Sequence, residues 1–437
     1  MNPAPAASSF RTSLSRRKFF RQGMMLGSLA AAPWIVRGQA VEEKKVGIAA
    51  AFDREMEAFM AARNVPGGAL AVVKDLKLVY ARGYGWADRE GKVPARAESL
   101  FRIASISKPF TSAAIMCLVE AGKLGLDDAA FELLKLEPLP QEKSKPDERL
   151  RRITVRQLLN HTGGWDRGRS SDPMFLPERI SQAAGVPSPP GARDIIRYML
   201  GRPLDFDPGT SYAYSNFGYA VLGRLIEKCS GLDYGAFVQK HVRTPAGIKR
   251  MRLGASLESG RVEDEVKYYL RTAPQERSVF ASHPGRVSAP YGGFCLEAMD
   301  AHGGWIASAV DLVRFAVALN DPQKDWLKPV TRKLLYEPPA APVSRRADGR
   351  LEDAFYASGW QVRPVNRQGG ANYWHNGSLP GTSTLLVRRW DGLTWAALFN
   401  QRSDDSKLPD NAIDPALHRA AAAVAEWPKE DLFSKFA

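Results

Sequence analysis

The apolar positions change period along this 437-residue chain, and the changes mark its elements. Over 48–62 they recur at the spacing of an amphipathic helix, which Val65-Pro66-Gly67-Gly68 breaks. The runs 69–73 and 78–84 have strand character and flank Lys74-Asp75-Leu76-Lys77, which predicts a hairpin. Helical spacing returns at Phe110, Ala113, Ala114, Cys117, Leu118 and Ala121, a single buried stripe. Shorter helices are predicted over 153–160, with Thr154 as N-cap, and over 219–228, with Val221, Leu222, Leu225 and Ile226 on one side. A glycine turn at Gly303-Gly304 feeds another that runs to Phe315, and 326–336 reads as one more. The chain then turns to strands at 356–362, 382–388 and 393–399, the last two joined by Asp391-Gly392, a strong two-residue hairpin signal. An Ala-rich amphipathic helix over 414–427 ends the pattern.

The expected order is therefore helix, antiparallel strands, then a buried helix whose N-terminus offers a site. Between the helices, 141–149 and 342–352 are charged loops, and 167–193 is a polar, Pro/Gly-rich irregular loop that borders a pocket. No repeat or low-complexity tract is present, and the length suits one large core or two intimate subdomains.

Charge changes the picture mainly at the N-terminus. The formal charge is +14, of which Arg11, Arg16, Arg17, Lys18, Arg21 and Arg37 supply six with no acid among them. Ser15-Arg16-Arg17-Lys18-Phe19-Phe20 is a twin-arginine pattern, 23–36 is an apolar run too short and too rich in Gly and Ala for a membrane span, and Gly38-Gln39-Ala40 offers a cleavage point. The expectation is export to the periplasm, with residues 1–40 as the signal and no stable membrane span once it is removed. No Cys lies near the cleavage point, so no lipoprotein anchor is expected. The remaining positive excess is that of a solvated surface; without an aromatic-interleaved basic patch, no nucleic-acid partner is expected. Cys117, Cys229 and Cys295 are too few and too scattered for a disulfide framework, although one bridge stays open. The six histidines make no metal-ligand spacing, so no metal is expected.

Three constellations carry candidate chemistry. Ser105-x-x-Lys108 opens the buried helix, where a helical turn puts both side chains on one face. A serine hydroxyl becomes a nucleophile once a base takes its proton, and a lysine is that base only if its pKa is depressed. The spacing alone recurs by chance about once or twice in such a chain, and Ser15-x-x-Lys18 is one such recurrence. Pro109 fits the first helical turn but biases Lys108 away from helical angles. The second constellation is Tyr214-x-Asn216 ahead of a helix; in extended backbone the phenol and the amide point the same way. The third is His375-Asn376-Gly377, with the histidine on a strand edge able to donate into a cleft and the glycine allowing close approach of a substrate backbone. His161, in His161-Thr162-Gly163-Gly164, reads as a structural hydrogen-bonder.

In this order, with 158–163, Asp207-Pro208-Gly209 and Gly303-Gly304-Trp305 between them, the motifs resemble the serine β-lactamase and penicillin-binding-protein superfamily over about 65–399, most closely the class C β-lactamase-like hydrolases. The resemblance implies an α+β fold, an α/β/α sandwich with an antiparallel sheet flanked by helices and a mostly helical subdomain inserted. The hydrolase domain would span 41–430, with a sheet part at about 41–124 and 340–430 and a helical part at about 125–339. It implies Ser105 as the acylated nucleophile, Lys108 as proton acceptor with Tyr214 sharing that role, and Asn216 orienting Lys108 and the substrate. His375 and Gly377 would line the substrate strand, and the backbone N–H groups of Ser105 and Ser378 would form the oxyanion hole. No cofactor is implied. Penicillin-hydrolysing members usually carry Lys-Thr-Gly at the third motif; a histidine there removes a permanent cation. The resemblance thus favours small-molecule esters or amides, or peptides, without an obligatory carboxylate. A DD-peptidase or weak β-lactamase is the alternative, and an inert binding protein of the same fold is the alternative of another class. An α/β-hydrolase is excluded, since Gly-x-Ser-x-Gly does not occur. Oligomeric state is left open.

Overall fold

Gly67–Lys74 (β1) and Leu393–Phe399 (β8) are buried at almost every position because they lie mid-sheet with both faces covered. A computed structural model describes residues 45–140, 146–272, 275–340, 342, 354–365 and 369–436. The expected signal at 1–40, and most of the charged loops at 141–149 and 342–352, fall outside these residues. With Lys77–Asp88 (β2), Val93–Pro94 (β3), Phe355–Tyr356 (β4), Gln361–Pro364 (β5), Ala371–Leu379 (β6) and Thr382–Arg388 (β7), the two strands build an eight-stranded sheet of order β3-β2-β1-β8-β7-β6-β5-β4. Every pairing is antiparallel, and β1 meets β8 in the register Gly68↔Phe399 through Lys74↔Leu393. The two ends of the chain thus close one sheet, and everything from 95 to 354 is inserted between its strands.

Alternation along the strands sorts the side chains into two cores. Leu70, Val72, Leu385, Val387, Trp395, Ala397 and Phe399 pack with Phe52 and Met56 of Ile48–Arg63 (α1) and with Leu417 and Ala420 of Ile413–Ala423 (α5). On the other face Ala69, Ala71, Leu386, Ala396 and Leu398 belong to a larger core with three helices. These are Ser107–Glu120 (α2), Asn216–Ser230 (α3) and Ala309–Ala318 (α4). The fold is an α/β/α sandwich. Phe110 of α2 stacks on Phe315 of α4 with ring centroids 3.9 Å apart. A single stripe understates α2: every residue from Ser107 to Met116 is buried, so it is the central helix of the molecule and not a surface one.

Other expectations are refined by turn chemistry. Val155–Leu159 is helical and Thr154 caps it through a capping box with Gln157. The helix expected over 326–336 shrinks to Pro329–Leu334, because proline sits most easily in the first turn. The strand expected over 356–362 divides into β4 and β5, with Gly359 at φ +78° between them. The stretch 167–193 is not irregular. It holds helical turns at Arg167–Ser170, Pro173–Phe175 and Pro177–Ala184, and the start of a helix at Ala192–Leu200. Cys117, Cys229 and Cys295 are free. No group of His, Cys, Asp or Glu among the described residues could hold a metal ion, and no helix among them is long and apolar enough to cross a membrane.

Candidate active site

Ser105 lies in a short turn of 3₁₀ helix, Ala104–Ile106, that leads into α2. Lys108 is helical despite the proline after it, since Pro109 occupies the first turn of α2, where its missing N–H has no intrahelical partner to lose. The Lys108 side chain is 0 % exposed. Its Nζ lies 3.1 Å from Ser105 Oγ, 2.8 Å from Asn216 Oδ1 and 3.0 Å from the His302 carbonyl oxygen. Burial holds this ammonium well below the usual lysine range, against the opposing pull of the Asp172 charge and with further help from Arg167. A neutral amine has two N–H bonds and one lone pair. The two carbonyl oxygens can only accept, so they take the two N–H bonds and leave the lone pair aimed at Ser105 Oγ. Once the hydroxyl proton has moved, the same three oxygens suit an ammonium.

Tyr214 and Asn216 reach this amine by a route other than strand alternation. Ser215 caps α3, its Oγ accepting from Gly218 N–H at 3.1 Å, and Asn216 is the first helical residue. The Tyr214 ring centroid is 4.7 Å from Lys108 Nζ, and the Ser105 side chain draws the phenol pKa down against the larger effect of burial. Burial pushes the Tyr214 pKa well up, so the phenol keeps its proton, while the same burial favours the neutral amine of Lys108. His161 Nδ1 accepts from Ser215 N–H at 3.2 Å, the structural role expected of it.

Asp172 is the residue that the sequence hid. It caps the Pro173–Phe175 turn, and its Oδ2 accepts from Asn216 Nδ2 at 2.7 Å. A carboxylate takes the NH₂ end of the amide, which turns the carbonyl end towards Lys108. Burial raises the pKa of this carboxyl, and the Asn216 hydrogen bond opposes the rise. Its charge in turn favours the ammonium form of Lys108. Asp172→Asn is therefore expected to lower the Lys108 pKa further and move the ascending limb of kcat/KM to lower pH. A pH–rate profile of the variant beside wild type checks this; a limb displaced to higher pH would refute it.

The third segment is β6. Its pairing with β5 ends at Trp374, so 375–379 has no strand on that edge. His375 does not donate into a cleft. It is 1 % exposed, its Nδ1 is 2.7 Å from the Asn376 carbonyl, and its Nε2 is 2.8 Å from the Tyr356 hydroxyl. The carbonyl requires a proton on Nδ1, which leaves Nε2 to accept from Tyr356. Burial, then the nearby lysine, depresses the His375 pKa to about 3, so the ring is neutral. Gly377 does allow close approach, but of the protein's own backbone: a Cβ there would run into Ile103 O and Thr384 Oγ1. Thr384 and Thr382, on β7, donate to Ile103 O at 3.0 Å and Arg102 O at 2.9 Å, clamping the segment that leads to Ser105 on the sheet. Ala104, in that clamp, holds φ at +47°, a left-handed conformation that costs a non-glycine residue about 1 kcal/mol. Ser378 is exposed beyond the glycine.

The chain is similar to known proteins. A model of the family described as Beta-lactamase matches residues 52–419. Penicillin-binding protein 4* of Bacillus subtilis is 28% identical over 346 residues, covering 78% of this chain and 69% of its own. Esterase EstB of Burkholderia gladioli is 29% identical over 208 residues, 46% of this chain and 50% of its own. The D-amino acid amidase of Ochrobactrum anthropi SV3 shares the fold, with a TM-score of 0.65 at 22% identity over 86% of this chain and 98% of its own. With its match spanning most of the chain, and a serine, a lysine and a tyrosine gathered at one point, the protein belongs to the beta-lactamase family of serine hydrolases.

Proposed function

We propose that this hydrolase cleaves carboxylic esters or amides, small molecules or short peptides, through a covalent acyl-enzyme on Ser105. The observation that carries this is the hydrogen-bond count at Lys108, which leaves one lone pair for one hydroxyl. Lys108 takes the Ser105 proton as Oγ attacks the carbonyl carbon. The oxyanion is received by the backbone N–H groups of Ser105 and Ser378, each donor contributing about 3 kcal/mol to such a transition state. Lys108, now an ammonium, returns the proton to the leaving oxygen or nitrogen, with Tyr214 as its relay. Water then attacks the acyl carbon as it gives a proton to the same amine, the bond from that carbon to Ser105 Oγ breaks, and the ammonium returns the proton to Oγ as the acid leaves. An esterase and an amidase among the similar proteins support both bond types. The neutral His375 removes the third-motif cation that would hold the carboxylate of a β-lactam or DD-peptide on that strand, which ranks these substrates behind esters and amides unless a cation elsewhere takes that carboxylate. Export is proposed from the twin-arginine pattern at 15–20 and the apolar run after it.

Acid-quenched turnover of a short-chain p-nitrophenyl ester, followed by peptide mass spectrometry, tests the reading. The acyl mass is expected on the peptide that contains Ser105. An adduct elsewhere, or hydrolysis with no adduct and no burst, would overturn it. D-alanyl peptides and a chromogenic cephalosporin run beside the ester rank the bond types.

A further inference from the structure

The third motif lacks a cation, yet the site has one. Arg167 opens the Arg167–Ser170 turn, is exposed, and holds its guanidinium 5.0 Å from the centroid of the Tyr214 ring. Contacts of 5.0, 4.7 and 3.1 Å lead from it through Tyr214 and Lys108 to Ser105 Oγ. Among the described residues it makes no hydrogen bond and no ion pair. The acids around it are engaged elsewhere. Asp166 accepts from Gly168 N–H and faces Arg169 at 3.5 Å. Asp205 accepts from Asp166 N–H and from Ser170 Oγ. Asp172 accepts from Met174 N–H and Asn216. Tyr212, 48 % exposed, stands on the same side, with its ring 6.1 Å from that of His161.

An arginine held over an aromatic ring keeps its planar fork of donors free, and that fork matches a carboxylate. We infer that Arg167 binds a carboxylate carried by the substrate, so that the enzyme prefers esters or amides with a negative charge near the scissile bond. This rests on the ester and amide reading above. It moves the recognising cation from the strand of the third motif to the loop after His161-Thr162-Gly163-Gly164, on the tyrosine side of the nucleophile.

The test uses isosteric pairs that differ in charge alone. The p-nitrophenyl monoester of glutaric acid against that of glutaramic acid places the charge on the acyl side. Acetoxybenzoate against acetoxybenzamide places it on the leaving group. Rates with Ser105→Ala are subtracted as background. The quantity read is the ratio of kcat/KM, charged over neutral, which does not depend on the amount of folded enzyme. Arg167→Gln is expected to lower the ratio about tenfold for one pair, the worth of a charge-assisted hydrogen bond at an exposed site. Arg167→Glu is expected to take it lower still, and Arg167→Lys to keep part of it. Ratios that stay within about twofold for both pairs in Gln and Glu variants would overturn the inference alone. If wild type turns over none of the four and Ser105 is not acylated, the hydrolase reading falls and this inference with it.

Discussion

Lys108→Met is expected to lower kcat/KM by about 10⁴-fold, the upper range for removal of a positioned general base. Methionine has nearly the same length and apolar stem, so it fills the space that the lysine occupies at 0 % exposure. What disappears is the lone pair that faces Ser105 Oγ at 3.1 Å. Tyr214 cannot take over, because burial pushes its pKa up and the phenol stays protonated. In the proposed mechanism Ser105 and Lys108 act as a unit, so Ser105→Ala combined with Lys108→Met should be no worse than Ser105→Ala alone. A double variant clearly slower than the serine variant would show that the lysine serves a second route.

The same substitution has a stability signature that separates chemistry from folding. Between the depressed Lys108 pKa and 10.5, the unfolded chain binds a proton that the folded chain does not. Stability therefore rises with pH across that window in wild type. Methionine removes this dependence while leaving Asn216 Oδ1 and the His302 carbonyl without their donor, each at a cost of about 1–3 kcal/mol. Urea titrations at several pH values should show a flatter profile in the variant.

The parts of this molecule that were legible in its sequence are those whose partners are near in the chain or repeat a period. Thr382–Arg388 and Leu393–Phe399 emerge with the bounds read from the apolar runs, since both faces are buried and Gly392 takes φ +83° in the turn between them. Ser105 and Lys108 could be paired from one helical turn. Asn216 was found for the wrong reason: its position comes from the Ser215 cap, not from extended backbone. Asp172 was lost inside a polar stretch whose helical turns are too short to show a period, and its partner is 44 residues away. The His302 carbonyl has no signature at all, because any residue supplies a backbone oxygen. Thr382 and Thr384 read as ordinary strand residues, and only the tertiary fold shows that they grip Arg102 and Ile103. Long-range placement of backbone is what pattern and propensity leave undetermined.

That grip predicts the second large effect. Gly377→Ala is expected to lower kcat at least about 100-fold, the cost of misplacing reacting groups by about 1 Å. It is also expected to destabilise the fold by about 2 kcal/mol, as overpacking of a close-packed site does. The new methyl would meet Ile103 O and Thr384 Oγ1, and would stand 3.2 Å from Ala104 Cβ. Ile103 O is backbone and already holds the Thr384 hydrogen bond, so it cannot swing aside as a side-chain end could. Relief must come from lifting Ala104-Ser105-Ile106 off the sheet, which carries Ser105 Oγ away from Lys108. Adding Thr384→Ala separates the two contacts. It removes the side-chain clash and should return part of the stability, while Ile103 O still obstructs the methyl and kcat stays low. Thermal melts and steady-state rates of the single and double variants read the two effects apart. Full activity in Gly377→Ala would mean that the nucleophile turn is not seated against this strand in solution.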